Sequence, residues 1–392
     1  MKKIRVGVVF GGRSSEHLVS IRSATSVFAN LARNRYDPVA LYILPQGRWI
    51  VPDRQPAALS EADARDYMKD QEARQARTSR EAHLVAYPND DQALLTIERR
   101  GPDNEAGQGT GVDSAVVHGM HLDVVFPILH GPCGEDGTVQ GLLELANLPY
   151  VGAGVLASSV GMDKSVMKTL FAARGLPTPA HVVVKRRDWL AERARVLADL
   201  MAGFTLPVFV KPANLGSSVG ISKAKDRAGL EQALDLAAQY DRKLVVEAAV
   251  PNAREIEVAV LGNDQPEASV PGEIIPSREF YDYEAKYLDE GTKLEIPASL
   301  SPAQTAEVRR LAVEAFLAVD AAGMGRVDFL LDRNSGEWFV SEINTIPGFT
   351  TISMYPKLWD ASGLSYVALV NRLIDLAFKR HAEKQDLRTT VS

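Results

Sequence analysis

The sequence predicts a chain of the α/β and α+β classes, with a parallel α/β unit at the N-terminus and two α+β units after it. Three observations lead there. Strand, glycine-rich turn and helix occur twice in the N-terminal third, as "KIRVGVVF", "GGRSSEH", "LVSIRSATSVFANLA" and again as "HLDVVFPILHG", "GPCGEDG", "TVQGLLELANL". That order is the pattern of a parallel sheet with crossover helices. Beyond it, short apolar strands and amphipathic helices alternate less regularly. The length, 392 residues, exceeds one ordinary hydrophobic core and fits two or three domains.

Composition narrows the function. The chain is 46% hydrophobic and carries a net charge of −6 from 44 basic and 50 acidic residues. A mild acidic excess argues against general binding to nucleic acid or to a membrane surface. No apolar run approaches the length of a membrane span. In "MKKIRVGVVFGG" Arg5 interrupts the apolar run and a glycine turn follows, so the start reads as a first strand and not as a signal peptide. Cys133 is the only cysteine. No intrachain disulfide can form, which fits a reducing, cytoplasmic setting.

Taken in order, the first unit covers residues 1–152. It holds an insertion at about 51–117 that is charged, offers the strand candidates "HLVAYP" and "ALLTIERR", and ends in the glycine-rich "GPDNEAGQGTGVD". It reads as peripheral and without recognisable chemistry. The second unit, 153–251, starts with a helix around "DKSVMKTLFAAR" that Gly175 and Pro177 stop. Strands "AHVVVKR", "LPVFVKP" and "KLVVEAAV" and helices "DWLAERARVLADLMAG" and "DRAGLEQALDLAAQY" follow. The third unit, 252–392, has the strand "EIEVAVLG", a tyrosine-rich piece around "FYDYEAKY", the helix "PAQTAEVRRLAVEAFLAVD", the hairpin "GRVDFLLDRNSGEWFVSEIN" and the helix "GLSYVALVNRLIDLAFKR". The last residues, "AEKQDLRTTVS", read as a frayed tail.

The hairpin carries the clearest chemistry. Side chains alternate along a strand, so Arg326 and Asp328 share a face, as do Glu342 and Asn344. A turn centred near Ser335 sets Asp328 opposite Glu342. Two carboxylates and an amide oxygen then converge among apolar neighbours. Buried like charges are costly without a cation, and hard oxygen ligands suit Mg²⁺ that also binds waters and nucleotide phosphates. The plain alternative is a hairpin with solvent-facing acids. The stretch "FVKPANLGSSVG" is neither G-x-x-x-x-G-K-[ST] nor G-x-G-x-x-G, and alone it is a turn between strands. With Lys211 on the preceding strand and a metal hairpin elsewhere, it reads as a lid over β/γ-phosphates, its N–H groups around the oxygens. Glu247, on "LVVEAAV", is a candidate for the polar groups of adenosine.

These residues reach a family. "VKPANLGSSVG", "GRVDFLL" and "EINTIPGFT" resemble the ATP-grasp fold. "FGGRSSEHLVS", "HGPCGEDGTVQGLLELANLPYVGAGVLAS", "MDKSVMK", "FYDYEAKY" and "EINTIPGFTTISMYP" resemble, in the same order, the D-alanine–D-alanine ligases. The resemblance spans most of the chain apart from the insertion and the tail.

It implies a three-domain ligase that joins two D-alanines for peptidoglycan by way of an acyl phosphate. ATP is the co-substrate, Mg²⁺ the metal (two ions, with Mn²⁺ as a substitute), and a homodimer the assembly. By the family pattern Glu16 pairs with the ammonium of the first D-alanine and His130 helps orient it. Without the resemblance, Glu16 is a helix-start acid and His130 a structural histidine. Lys164 and Lys211 match the phosphate lysines, Ser217 and Ser218 lie in the phosphate loop, and Glu247 and Glu255 match the adenosine contacts. Ala248 stands where the family usually has a lysine. Ser217 joins Glu16 and Tyr287 in a network. "FYDYEAKY", otherwise a surface loop, becomes a lid with Lys286 on the γ-phosphate and Tyr287 at the second substrate. Arg326 and the Gly348 N–H match the oxyanion donors, Asp328, Glu342 and Asn344 the metal ligands, and Ser353 and Met354 the grip on the second carboxylate. The rivals are a D-alanine–D-lactate ligase, which Tyr287 argues against, another ATP-grasp carboxylate–amine ligase, and a non-catalytic nucleotide-binding protein.

Overall fold

The computed structural model describes residues 2–75, 80–88, 93–100, 114–216, 219–276 and 292–388. Ser217, Ser218, Lys286 and Tyr287 lie outside them, so the loop serines and the lid residues are not placed. The chain packs as two compact units, one of residues 1–155, 346–356 and 364–392, the other of residues 156–345 and 357–363.

The first unit is built on a seven-stranded sheet in the order β6-β5-β4-β3-β2-β1-β7. Strand β1 (Ile4–Gly11) pairs in parallel with β2 (Tyr36–Ile43) and with β7 (Val124–Ile128). Strands β1 and β7 are those that the two strand–turn–helix repeats predict; β2 is not among the predicted strands. Val6, Val8, Val9 and Phe10 are fully buried, because parallel strands lie under cover on both faces and read as unbroken apolar runs. Gly11, at φ +92°, turns the chain out of β1. A Cβ there would stand 2.2 Å from the Ile43 carbonyl oxygen, so only glycine fits. Helix His17–Asn30 follows this turn, and helix Thr138–Leu145 follows the second.

The insertion is less peripheral than its composition suggests. Strands β3 (Trp49–Ile50), β4 (Arg80–Leu84), β5 (Leu94–Arg100) and β6 (Ser114–Met120) extend the sheet antiparallel from the β2 side. The sheet is therefore mixed, parallel only at β2-β1-β7. The helix Glu61–Gln75 sends Tyr67 into the core, with its ring 5.5 Å from that of Tyr42 and 6.2 Å from that of Phe10. Ala64 and Gln71 are buried beside it, but a small residue and a polar one in so charged a helix give little apolar periodicity to read. The helix Tyr366–Gln385 packs in the same unit, where Arg380 donates to the carbonyls of Gly152 and Tyr150.

The second unit holds two antiparallel sheets. The smaller has the order β10-β9-β11-β8, from β8 (His181–Lys185), β9 (Val208–Pro212), β10 (Ser222–Ala224) and β11 (Lys243–Ala248). Helices Arg193–Gly203 and Arg227–Ala237 bury Leu197, Leu200, Leu230 and Leu234 with Val208, Val210, Leu244 and Val246 of these strands. The six-stranded sheet comprises β12 (Ala253–Gly262), β13 (Glu267–Ala268), β14 (Gly272–Ile275), β15 (Lys293–Glu295), β16 (Gly323–Asp332) and β17 (Trp338–Asn344). Helix Pro302–Ala318 begins with Pro302 and a reciprocal cap between Ser301 and Gln304, which satisfies donors that a helix start leaves open.

Candidate active site

The β16–β17 hairpin brings together the residues that strand alternation selects. Asp328 faces Glu342 and Arg326 faces Asn344. The pairing depends on a defect. Closer to the turn Phe329 faces Val340 and Leu331 faces Trp338. Continued without a break, that register would set Asp328 against Ser341. Ser341 is instead the extra residue of a bulge between Asp328 and Phe329, and the one-residue shift gives Glu342 and Asn344 the face of Asp328 and Arg326.

The acids do not face solvent alone. Arg326 donates from Nε to Asp328 Oδ1 and from a terminal nitrogen to Oδ2, both at 2.7 Å. Its Nε also lies 2.9 Å from Glu257 Oε2. Burial works against the guanidinium, but Asp328 and Glu257 outweigh it and raise its pKa well above the ordinary value. Asn344 donates from Nδ2 to Asp328 Oδ2 at 3.0 Å. Glu257, across from Asp328 on β12, is a site residue that the sequence reading missed. Its signal is the alternation in "EIEVAV", which puts Glu255 and Glu257 on one face. Among the described residues no group of three His, Cys, Asp or Glu side chains converges as a metal cage. The set here is two carboxylates and an amide.

Lys164 joins this hairpin to the glycine-serine loop. It opens the helix Lys164–Ala173, whose cap is the Asp163 carboxylate accepting from the Ser165 and Val166 N–H groups. Its ammonium donates to the Leu215 carbonyl at 2.8 Å and lies 3.3 Å from Glu342 Oε2. One turn on, Lys168 is 1% exposed and 2.7 Å from Glu247 Oε2, while Lys211 reaches Glu247 Oε1 at 2.8 Å. Burial would raise the Glu247 pKa, but Lys211 and then Lys168 overcome it and hold the carboxyl at about 2. Burial also opposes the Lys211 charge, and Glu247 more than offsets it, with Glu342 and Glu255 adding to the field. Lys168 is pushed down by burial against the pull of Glu247. It also donates to the carbonyl of the bulged Ser341 at 3.1 Å. Lys168 is thus a second missed residue, visible in sequence only as the last residue of "MDKSVMK", four positions after Lys164.

The other unit carries the remaining candidates. Glu16 is 8% exposed and sits just ahead of helix His17–Asn30. Gly131 approaches so closely that a Cβ would stand 3.0 Å from Glu16 Oε2 and 2.6 Å from Ser14 Oγ. His130 is buried, with Nε2 3.1 Å from Ser23 Oγ and Nδ1 3.1 Å from the Ile346 carbonyl. A Cβ on Gly348 would come within 2.8 Å of Ser353 Oγ. That hydroxyl is also held by Thr350, through its N–H at 3.0 Å and its hydroxyl at 2.8 Å. Met354, buried, begins the helix Met354–Ala361. One unit therefore carries Lys164, Lys211, Glu247, Glu255, Arg326, Asp328, Glu342 and Asn344, and the other Glu16, His130, Gly348, Ser353 and Met354.

Two domain families match the chain, described as D-ala D-ala ligase N-terminus over residues 5–153 and D-ala D-ala ligase C-terminus over residues 170–375. A D-alanine–D-alanine ligase of Heliobacterium modesticaldum is 47% identical over 98% of this chain and 97% of its own. D-alanine–D-alanine ligase A of Bradyrhizobium diazoefficiens is 46% identical over 98% of each. Among solved structures, the D-alanine–D-alanine ligase of Coxiella burnetii matches with a TM-score of 0.78 at 35% identity, covering 98% of this chain and 97% of that one. The VanG D-Ala:D-Ser ligase of Enterococcus faecalis matches with a TM-score of 0.80 at 30% identity, covering 96% and 100%. Family domains across nearly the whole length, and relatives of equal length at this identity, leave one conclusion: the chain belongs to the D-alanine–D-alanine ligase family.

Proposed function

We propose that this chain uses ATP to join two molecules of D-alanine into D-alanyl-D-alanine, a peptidoglycan precursor. The observation that carries the reading is the double attachment of Lys164, to the Leu215 carbonyl of the glycine-serine loop and to Glu342 of the hairpin. A nucleotide held between loop and hairpin would meet that ammonium and Lys211 at its phosphates. A carboxylate oxygen of the first D-alanine attacks the γ-phosphorus, ADP leaves, and an acyl phosphate forms. The amine of the second D-alanine attacks the acyl carbon and loses a proton. The tetrahedral oxyanion collapses, the carbon–oxygen bond breaks, and inorganic phosphate leaves.

Both steps gather negative charge that fixed donors must meet. Arg326 and the Gly348 N–H are assigned to the oxyanion, Glu16 to the first ammonium, and Ser353 with the Met354 N–H to the second carboxylate. Lys286 is assigned to the γ-phosphate and Tyr287 to the second-substrate side. Asp328, Glu342 and the Asn344 amide oxygen suit Mg²⁺, since two half-buried carboxylates and an amide are a hard-oxygen donor set with room for phosphate oxygens. Bound Mg²⁺ would neutralise phosphate charge. We assign one domain to each of the three sheets, with bounds 1–152, 153–251 and 252–392. A cytoplasmic homodimer is the expected assembly. Among the described residues no helix is long and apolar enough to cross a membrane.

Phosphate release from ATP and Mg²⁺ with D-alanine alone tests the reading, run beside D-alanine with D-lactate and with D-serine. Turnover on D-alanine alone, with D-alanyl-D-alanine as the product, is the expected result. Turnover only when D-lactate or D-serine is added would assign the second site to that nucleophile.

A further inference from the structure

We propose that Ser23 is a positioning residue of the ligase reaction: it locks His130 and the Phe349 N–H into one hydrogen-bonded clamp that fixes the Gly348 backbone. The groups are buried. Ser23 and Phe349 are fully covered, Ile346 is 2% exposed and His130 5%. His130 Nδ1 lies 3.1 Å from the Ile346 carbonyl oxygen. A carbonyl only accepts, so Nδ1 carries the proton. In the neutral ring Nε2 is then an acceptor, and its neighbour is Ser23 Oγ at 3.1 Å. The serine hydroxyl donates to it. The same oxygen accepts from the Phe349 N–H at 3.2 Å. Proton directions are therefore fixed along the chain Phe349 N–H to Ser23 O–H to His130, and from His130 to Ile346.

The clamp brackets two residues. Ile346 is held at its carbonyl, and Phe349 at its N–H and at its carbonyl, which accepts from the Tyr366 hydroxyl at 2.6 Å. Between them stand Pro347 and Gly348. Proline has no N–H, so Gly348 carries the one backbone donor in the bracketed stretch. Glycine is also the residue with the most backbone freedom to lose, so a donor at Gly348 needs this support to stay aimed. Both ring nitrogens of His130 are engaged by protein. The imidazole then acts through the Ile346–Phe349 segment, and Ser23, a residue of helix His17–Asn30, is the joint that connects it to Phe349.

The kinetic part of this inference rests on the ligase reading; the proton positions do not. Nitrogen-15 resonances of the histidine rings in the folded wild type, recorded at mildly alkaline pH, read the tautomer without turnover. The Nδ1–H form at His130 is expected, and an Nε2–H form overturns the clamp. Ser23→Ala should lower kcat roughly ten-fold, the scale of one lost bond to a buried donor, with KM for ATP within about two-fold. Ser23→Thr, which keeps the hydroxyl, should recover most of that loss. Loss of kcat in both variants alike, or a shift in KM for ATP with kcat preserved, would contradict a positioning role. If the wild type makes no D-alanyl-D-alanine, the ligase reading fails and the tautomer measurement still decides the clamp.

Discussion

At the scale of single residues, the site is governed by how buried charges are compensated. Glu247 has two lysines, Lys211 on one oxygen and Lys168 on the other. Under the phosphate role proposed for Lys211, Lys168 would keep the buried carboxylate paired if Lys211 turned away. Removing one member of a buried pair costs about 3–5 kcal/mol, whereas replacing both is often close to neutral. Glu247→Gln, which leaves Lys168 and Lys211 without their shared carboxylate, should therefore destabilise the chain by about that amount in urea titration, and adding Lys168→Met should regain part of it. Additive losses would mean that the two side chains do not interact. The pH dependence has a definite sign. The Glu247 pKa is depressed from 4.5 to about 2, so its contribution is complete above the ordinary carboxyl range and is lost as pH falls through that window. Glu247→Gln should flatten that part of the acid limb. Arg326→Ala tests a different role. If the guanidinium meets the developing oxyanion, kcat should fall ~10²-fold or more, with ATP affinity far less affected; a defect mainly in ATP affinity would make it a nucleotide clamp. Arg326, Asp328, Glu342 and Asn344 were legible in the sequence because alternation in a hairpin is a two-residue rule. Glu257 and Lys168 were missed, because alternation shows that Glu257 shares a face with Glu255 but not that it meets Arg326, and the helix position of Lys168 does not show the distant Glu247 it meets. His130 was legible as a residue but not as a clamp, since its partners lie 107 and 216 positions away.

At the scale of elements, the register of the hairpin across the Ser341 bulge sets which acids meet. The turn register near Leu331 and Trp338 would pair Asp328 with Ser341, and the extra residue moves Glu342 into place. Lys168 donates to the carbonyl of this bulged residue, which supports the irregularity from below. Inserting one alanine between Ser341 and Glu342 should set that alanine against Asp328 and turn Glu342 and Asn344 to the opposite face. Strand content by circular dichroism should persist, while Mg²⁺-dependent nucleotide binding by calorimetry should weaken at least ten-fold. Unchanged binding would show that the register does not set the site. The sequence put the turn centre near Ser335 and so found the right opposing pair, yet the bulge was invisible, because a bulge is chosen by three-dimensional packing and not by composition. The β3–β6 extension was half legible for a related reason. Its strands were seen as candidates, but their charged, irregular pattern gave no hint that they continue the same sheet.

At the scale of the whole molecule, no single motif identified the family; their order along the chain did. Each of "NLGSSVG", "GPCGEDG" and "FYDYEAKY" is a soft pattern, and the family domains at 5–153 and 170–375 cover the stretches where they fall. Strands β1, β7, β9, β11, β16 and β17 followed from hydrophobic pattern and glycine turns, whereas β2 and the order of the strands in the sheets did not. The packing of the helix Tyr366–Gln385 with the N-terminal unit could not follow, because an amphipathic helix declares that it has a buried face and not what covers it. The central claim is chemical: a carboxylate of D-alanine is phosphorylated before the amide forms. The most direct test uses D-alanine labelled with oxygen-18 in its carboxylate, with ATP and Mg²⁺, and mass analysis of the phosphate released. An acyl phosphate predicts one labelled oxygen in each inorganic phosphate, transferred as the carbon–oxygen bond breaks. Phosphate free of label, alongside D-alanyl-D-alanine as the product, would contradict the account.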